Sequence, residues 1–229
     1  MKTKKDQANI PEGSTKERIS NAAEILFSEH GYENVSMKNI TDLAQTNIAS
    51  VNYHFGTKLR LLADVFSHRA RDLNKERLHR LQECAITSKS GEIEIEEILR
   101  AFLEPSYRTG QESEHGKHFQ RIMSQMSASP NSEVRQILFQ TFNKVSQEFL
   151  SLLKKACKNI SREEFYWRVS FIYGAMMYVH SNNGRIQSLA GSGFDAGDMT
   201  KAVHYMVPFL AEGMQMTATK KPKKTKRTK

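Results

Sequence analysis

Apolar residues recur at spacings of three and four along most of this chain, and no segment shows the sustained alternation typical of a half-buried strand. The first of these patterns follows Ser14, which can form a capping box with Glu17, and it ends at Gly31. Its apolar residues fall on one helical face: Ile19, Ala22, Ala23, Leu26 and Phe27. The chain therefore begins with a predicted amphipathic helix and is predicted to be all-α.

Two short helices are predicted next. Ser36 can cap "MKNITDLA", with Ile40, Leu43 and Ala44 on its inner face, and Asn47 can cap "IASVNYHF" after the break "QTN". A long helix is predicted to begin near Lys58, after "GT". Two short helices joined by a brief turn, with a third helix in front of them, are typical of a helix-turn-helix.

Helical patterns continue through the rest of the chain. "EIEEILRAFLEPS" is predicted to end at Pro105, "GRIQSLAGSGFDAGD" is predicted to be a Gly-rich connection, and "MTKAVHYMVPFLAEGM" a final helix that Pro208 kinks. Three further helices are predicted between them: "GKHFQRIMSQMS", "SEVRQILFQTFNKVSQEFLSLLKKAC" and "SREEFYWRVSFIYGAMMYVHSN", the last with a capping box at Ser161 and Glu164. The predicted organisation is a flexible arm (1–14), a helix-turn-helix domain (15–62), a larger helical domain (63–216) and a basic disordered tail (217–229).

The second helix of a helix-turn-helix enters the major groove of DNA, and "IASVNYHF" has two faces that suit this role. Ile48, Val51 and Phe55 would hold it against Leu26, Ile40 and Leu43. On the opposite face small residues allow a close approach, and Asn52 is well matched to adenine. The predicted DNA contacts are Ser36, Met37, Lys38, Asn47, Ala49, Ser50, Asn52, Tyr53, His54 and Lys58. Spacing alone equally allows a polar-faced helix in an ordinary bundle.

The segments "ILFSEHGYENVSMKNITDLA" and "VNYHFGTKLRLLADVF" resemble the N-terminal DNA-binding domain of the TetR family of bacterial transcriptional regulators, over Thr15 to about Asp72. The residues that match the family pattern in order are Phe27, Gly31, Tyr32, Ser36, Ile40, Ala44, Tyr53, His54, Phe55 and Lys58. Two positions depart from it: Gln45 stands where the family often has Gly, and Asn52 replaces the commoner Tyr. The form "NxxxVNYHFG" is similar to a subgroup that includes regulators of fatty-acid metabolism.

The resemblance implies that the larger domain binds an effector and dimerises through its last two long helices. A two-fold dimer would place two recognition helices about 34–36 Å apart on a palindromic operator. The resemblance also implies a repressor that a small, largely apolar effector, such as an acyl chain or acyl-thioester, releases from DNA. The predicted effector-binding residues are Phe102, Met123, Met126, Phe139, Phe142, Trp167, Phe171 and Met176. Each of these residues taken alone is equally well explained as ordinary core.

Charge adds little to the argument for DNA. The chain carries a net charge of +9, but residues 217–229 contain six Lys, one Arg and no acid. Such a tail is typical of a solvated, disordered appendage, and it could also attract phosphates without sequence preference. There is no apolar stretch for a bilayer or a secretion signal, and Cys84 and Cys157 are the only cysteines. A cytoplasmic protein without membrane contact is expected.

No constellation in the sequence supports catalysis, a metal or a cofactor. "HGKH" places His115 and His118 near Glu112 and Glu114, but in a predicted loop without the converging ligands of a zinc site. "AGSGFD" lacks the strand and helix that flank a nucleophile motif. The expected protein is not an enzyme. The alternative that stays open is a helical protein–protein interaction module without specific DNA binding.

Overall fold

A computed structural model describes residues 13–87, 93–181 and 183–217, so most of the predicted arm and basic tail lies outside the described residues. Within these ranges all regular structure is helical, as the apolar spacing predicted. The helices are α1 Thr15–His30, α2 Met37–Leu43, α3 Ile48–Phe55, α4 Lys58–Thr87, α5 Ile95–Glu112, α6 Glu114–Ala128, α7 Ser132–Ala156, α8 Arg162–Ser181, α9 Arg185–Ala190 and α10 Met199–Gln215.

The predicted helix starts are confirmed by their caps. Ser14 and Glu17 form a reciprocal capping box at α1, which ends at Gly31 with a φ of 77°. Ser36 caps α2 and accepts a hydrogen bond from the backbone N–H of Asn39. Side-chain oxygens thus satisfy N–H groups that have no partner inside the helix.

The prediction that Pro105 ends a helix is wrong, because α5 continues through it to Glu112. A proline inside a helix costs about 3 kcal/mol. Buried side chains on both sides of Pro105, including Leu99, Leu103 and Tyr107, outweigh that cost by packing against the core. The predicted Gly-rich connection likewise contains the short helix α9 and a 3-10 turn at Gly191–Gly193. The kink expected at Pro208, inside α10, stays a prediction.

Two apolar clusters form the core, and α4 contributes to both. The first cluster joins α1, α2, α3 and the first half of α4 to α6 and the start of α7. The second joins the far part of α4 to α5, α7, α8 and α10. α4 passes the predicted domain boundary after residue 62 without a break. The helix-turn-helix therefore shares a packed core with helices that come much later in the chain.

A polar contact fastens α1 to α4 and α6. The Glu24 carboxylate is buried and accepts two hydrogen bonds from the Arg69 guanidinium, at 2.9 and 2.7 Å. Nδ1 of His115 lies 2.8 Å from Oε2 of the same carboxylate. We refer to Glu24, Arg69 and His115 as the α1–α6 latch. Beside it, the Ser28 hydroxyl lies 2.6 Å from Nδ1 of His118.

No helix in the described part of the chain is long and apolar enough to cross a membrane. Apolar side chains are nevertheless exposed along one face of α8 and one face of α10. They are Trp167, Phe171 and Tyr178 on α8, and Tyr205, Phe209 and Met216 on α10. We refer to these six residues as the α8–α10 face. Large exposed apolar surfaces of this kind mark contact sites.

Candidate DNA-binding surface

The turn between α2 and α3 sets the angle between these helices, and Gln45 gives it its shape. Gln45 has a φ of 48°, in the left-handed region that favours glycine. The sequence placed a non-glycine residue at this turn, and the structure confirms that it takes a positive φ. Thr46 then closes the turn by donating its backbone N–H to the carbonyl of Thr41.

The inner face of α3 is smaller than its spacing predicted. Val51 and Phe55 are buried in the first core cluster. The expectation that Ile48 joins them is wrong, since 49% of that residue is exposed. Ile48 is the first residue of a short helix and lies beyond the side chains that cover Val51. Two residues, rather than three, anchor α3.

The outer face of α3 is free of protein contacts that would cover it. Ala49, Asn52, Tyr53 and His54 are all exposed. Tyr53 is 86% exposed, and its ring meets that of His54 edge to face at 5.1 Å between centroids. A nearly fully exposed tyrosine beside small and polar residues forms a surface that can contact another molecule through hydrogen bonds and apolar contact.

Three of the predicted DNA contacts hold helix ends in the protein alone. The Asn47 side-chain oxygen accepts hydrogen bonds from the backbone N–H of Ser50, at 2.9 Å, and from its hydroxyl, at 3.1 Å. Ser36 caps α2 in the same way, while Lys38 in the next turn is exposed. Met37 is half-buried and packs on the first core cluster. Ser36, Asn47 and Ser50 therefore position the two helices.

Lys58 differs from its prediction, which pointed its charge toward a DNA phosphate. Its ammonium donates hydrogen bonds to the backbone carbonyls of Tyr32 and Val35, both at 2.9 Å. It also lies 4.2 Å from the centre of the Tyr32 ring, within cation–π distance. Because two of its three N–H donors are used internally, Lys58 ties the start of α4 to the loop before α2.

Arg60 is a residue that the predicted contacts missed. It is exposed in the first turn of α4, and its side chain lies beside Gly56, where α3 ends. Its backbone N–H donates to the Thr57 hydroxyl, which caps this turn. An arginine at this position can bind a phosphate bidentately. The available signal was a second basic residue two positions after Lys58.

The eight predicted effector-binding residues do not line one pocket. Phe139, Trp167 and Phe171 are exposed, at 62, 59 and 62%. Met123, Met126 and Phe142 belong to the first core cluster. Phe102 and Met176 belong to the second. Apolar character could not tell these environments apart, because surface faces and cores use the same residue types.

The predicted metal edge is not assembled. The segment from His115 to His118 lies in α6 and not in a loop, and its two histidines contact Glu24 and Ser28. The described residues hold no group of three side chains that could bind a metal ion. Burial raises the pKa of both Cys84 and Cys157, which keeps these thiols protonated and poorly nucleophilic.

A capped helix-turn-helix with an uncovered second helix, packed on a larger helical bundle, defines a DNA-binding regulator with a second domain. The chain belongs to the tetR family of bacterial regulatory proteins. Residues 19–65 match the model of that family's DNA-binding region, and residues 100–213 match the tetracyclin repressor-like C-terminal domain. No curated protein matches the sequence.

Solved structures with similar folds include three regulators. The fatty acid degradation regulator FadR from Bacillus halodurans has a TM-score of 0.60 and 16% identity, over 86% of this chain and 96% of that one. PfmR, a TetR family transcriptional regulator from Thermus thermophilus, has a TM-score of 0.59 and 17% identity, over 90% and 100%. GusR from Salmonella enterica has a TM-score of 0.55 and 15% identity, over 86% and 95%.

Proposed function

We propose that this regulator is a repressor that binds a palindromic operator as a homodimer and leaves it when a small, largely apolar effector binds. The observation that carries the proposal is the outer face of α3, with Tyr53 86% exposed and Asn52 and His54 beside it. A regulator of chromosomal DNA works in the cytoplasm, and we place this one there.

Each exposed side chain of the helix-turn-helix has a distinct role in the proposed complex. Ala49 lets α3 approach the bases closely, and Asn52 hydrogen-bonds a base edge, with adenine as the best match. Tyr53 and His54 contact a phosphate or a thymine methyl group. Lys38 and Arg60, on either side of α3, bind backbone phosphates and fix the register without reading sequence.

The α8–α10 face supports the proposed dimer. Its aromatic side chains follow one another at helical spacing, so two copies could bury them against each other around a two-fold axis. Gly174 and Gly213 lie within these two rows, and a Cβ at either would meet no heavy atom within 4 Å. Small residues there let facing helices approach closely. The two α3 helices of such a dimer would then reach successive major grooves, about 34–36 Å apart.

The proposed effector contains an acyl chain. The form "VNYHFG" in α3 supports this, since it resembles the subgroup that includes regulators of fatty-acid metabolism. The similar FadR structure, by its description, is that of a fatty acid degradation regulator. The α1–α6 latch offers a path from an effector to DNA, because it joins the second domain to α1 and α4. A coupling of about 1–3 kcal/mol would change operator affinity about 5–150-fold.

DNA binding tests the proposal directly. Fluorescence anisotropy would compare the labelled region upstream of the gene with a scrambled fragment of equal length, at several salt concentrations. We expect the protein to prefer the upstream fragment, and we expect Tyr53→Ala with His54→Ala to abolish this preference while the far-UV circular dichroism stays unchanged. Tyr205→Ala with His204→Ala is the matched control, because it removes an adjacent Tyr and His far from α3.

The same assay separates the alternative function. A protein–protein interaction module without specific DNA binding would bind neither fragment more tightly at any salt concentration. It would also be unaffected by the change at Tyr53 and His54. Either result would contradict the proposed repressor.

A further inference from the structure

The second core cluster contains a charged side chain that no part of the proposed DNA binding explains. Arg77 lies on α4 and is 1% exposed. It occupies the same buried stripe as Leu73 and Leu81, where spacing predicts an apolar residue. Burying an unpaired cation costs several kcal/mol, so its presence calls for an explanation.

The partners of Arg77 do not neutralise its charge. Nε donates a hydrogen bond to the backbone carbonyl of Phe102 at 2.7 Å, and Nη2 lies 3.9 Å from the sulfur of Met176. The guanidinium lies over the rings of Phe102 and Phe142, at 4.4 and 5.6 Å. Among the described residues, no carboxylate forms an ion pair with it.

The polar groups around Arg77 are neutral. Burial and the charge of Arg77 lower the pKa of His180 to about 3, so this imidazole is uncharged at neutral pH. Burial raises the pKa of Tyr107 and of Tyr173, which keeps both hydroxyls protonated. Burial lowers the pKa of Arg77 to about 10, which still leaves it charged. The cluster therefore holds a single positive charge.

A second polar atom in the cluster is also unsatisfied. His180 is buried, and its Nε2 lies 3.0 Å from the Ser106 hydroxyl. Its Nδ1 is buried and has no hydrogen-bond partner. An unneutralised guanidinium and an unpaired imidazole nitrogen in one cluster together indicate a ligand that supplies polar atoms.

We propose that the effector carries a carboxylate on an apolar body and that the Arg77 guanidinium binds this carboxylate within the second core cluster. The proposal rests on the proposed function of this domain as the effector-binding part. A carboxylate has one charge to match the one cation, and its two oxygens fit the planar fork of arginine. A thioester carries no charge at this position, and a phosphate dianion would leave one negative charge unbalanced.

The surroundings of Arg77 suit the apolar body of such a ligand. Phe102 and Phe149 stack at 4.1 Å, and Tyr173 meets both rings edge to face. Met176 and the half-buried Phe142 are the side chains that would move, since the thioether is flexible and Phe142 is only partly covered. Tyr107 also lines a surface cavity of about 350 Å³ between α5 and α10, which gives a route inward.

Thermal unfolding of the full chain tests the carboxylate. The probes are octanoate, dodecanoate and hexadecanoate, with dodecan-1-ol and dodecanoyl coenzyme A as matched ligands without a carboxylate at the chain end, all below their micelle concentrations. We expect at least one carboxylate to raise Tm by about 5–10 °C at a hundredfold excess over Kd. We expect the alcohol and the thioester to shift Tm by less than a quarter of that amount.

Variants on α4 assign the effect to one side chain. Arg77→Met removes the charge at similar volume and should lose the carboxylate shift, while the exposed Arg71→Met on the same helix should keep it. If Arg77→Met does not fold, Arg77→Lys keeps a charge without the planar fork and should weaken carboxylate binding about tenfold or more.

Three results would overturn the inference: no carboxylate shifts Tm; the alcohol or the thioester shifts it equally; or the shift survives in both Arg77 variants. A shift by the thioester alone would leave the proposed acyl effector intact and reject the carboxylate. Failure of the operator assay would instead reject the proposed repressor, since that assay uses no ligand.

Discussion

Lys58 lies where the start of α4 meets the loop between α1 and α2. Its ammonium supplies donors to the carbonyls of Tyr32 and Val35, which have no helical partner in that loop. Tyr32, Val35 and Lys58 together fix how α4 enters the helix-turn-helix. A single side chain thus stabilises the part of the molecule that presents α3, without any contact with DNA.

Changing Lys58→Met should lower the free energy of unfolding by about 2 kcal/mol, because each carbonyl loses a charged donor. It should leave the slope of log K against log salt for DNA binding unchanged. Lys38→Met, on the exposed turn of α2, should show the reverse: unchanged stability and a slope smaller by about 0.9. Urea unfolding and salt titration measure the two quantities, and a smaller slope for Lys58→Met would return it to the phosphate contacts.

Gln45 is exposed and has a φ of 48°, so its strain lies in the backbone. Gln45→Gly should raise the free energy of unfolding by about 0.5–1 kcal/mol, because glycine adopts this φ without cost and only part of the gain is lost to chain entropy. Gln45→Ala, which removes the side chain but not the strain, should give no gain. A gain with alanine and none with glycine, in urea unfolding, would contradict this explanation.

Among the helices, α6 connects the two core clusters most directly. Its apolar residues complete the cluster around the helix-turn-helix, and its His115 reaches Glu24 of α1. It also passes very close to α5: a Cβ on Gly116 would lie 1.8 Å from the Thr109 carbonyl oxygen. A helix held this tightly on both sides transmits a displacement instead of absorbing it. We therefore expect α6 to carry an effector-induced shift to α1 and α4.

Glu24→Gln tests this role of α6. The amide keeps the shape of the side chain but leaves the Arg69 charge unpaired, so the free energy of unfolding should fall by about 2–3 kcal/mol. Glu29→Gln, on the exposed side of α1, is the control and should change stability by less than about 0.5 kcal/mol. Urea unfolding at fixed protomer concentration measures both, and equal effects would mean that the latch stabilises nothing.

At the scale of the whole molecule, the described chain has exposed apolar surface at one end and exposed recognition chemistry at the other. The α8–α10 face belongs to the second core cluster, whereas α3 belongs to the first. Pairing of that face between two copies would fix the distance between their α3 helices. Any change that reorients α6 and α4 would then alter this distance, which is how one dimer could exist in DNA-binding and released forms.

Trp167→Asp and Phe209→Asp, both on the α8–α10 face, should each weaken the dimer about a hundredfold or more, because each places a charge in a proposed buried contact. Phe139→Asp is the control, since Phe139 is equally exposed but lies on α7. Light scattering coupled to size-exclusion chromatography reports the mass. Dissociation by Phe139→Asp, with a stable dimer in the other two variants, would place the interface elsewhere.

Local signals in the sequence predicted most of the helices but not how the helices end in every case. Ser14, Ser36 and Asn47 marked the starts of α1, α2 and α3 correctly, because capping depends on a few neighbouring residues. Pro105 was misjudged because the packing that carries α5 past it comes from helices far away in the chain. Ile48 was misjudged because spacing gives a direction on the helix but not what covers it.

The sequence by itself determined the all-α class, the helix-turn-helix and the outward face of α3, since these follow from helical period, caps and the order of a family motif. Only the tertiary structure decided which apolar residues are core and which form the α8–α10 face. It also decided that the Lys58 ammonium binds carbonyl groups and that the Arg77 charge is buried without a counter-charge. The physical reason is that burial and ion pairing depend on residues distant in the chain, which no local pattern specifies.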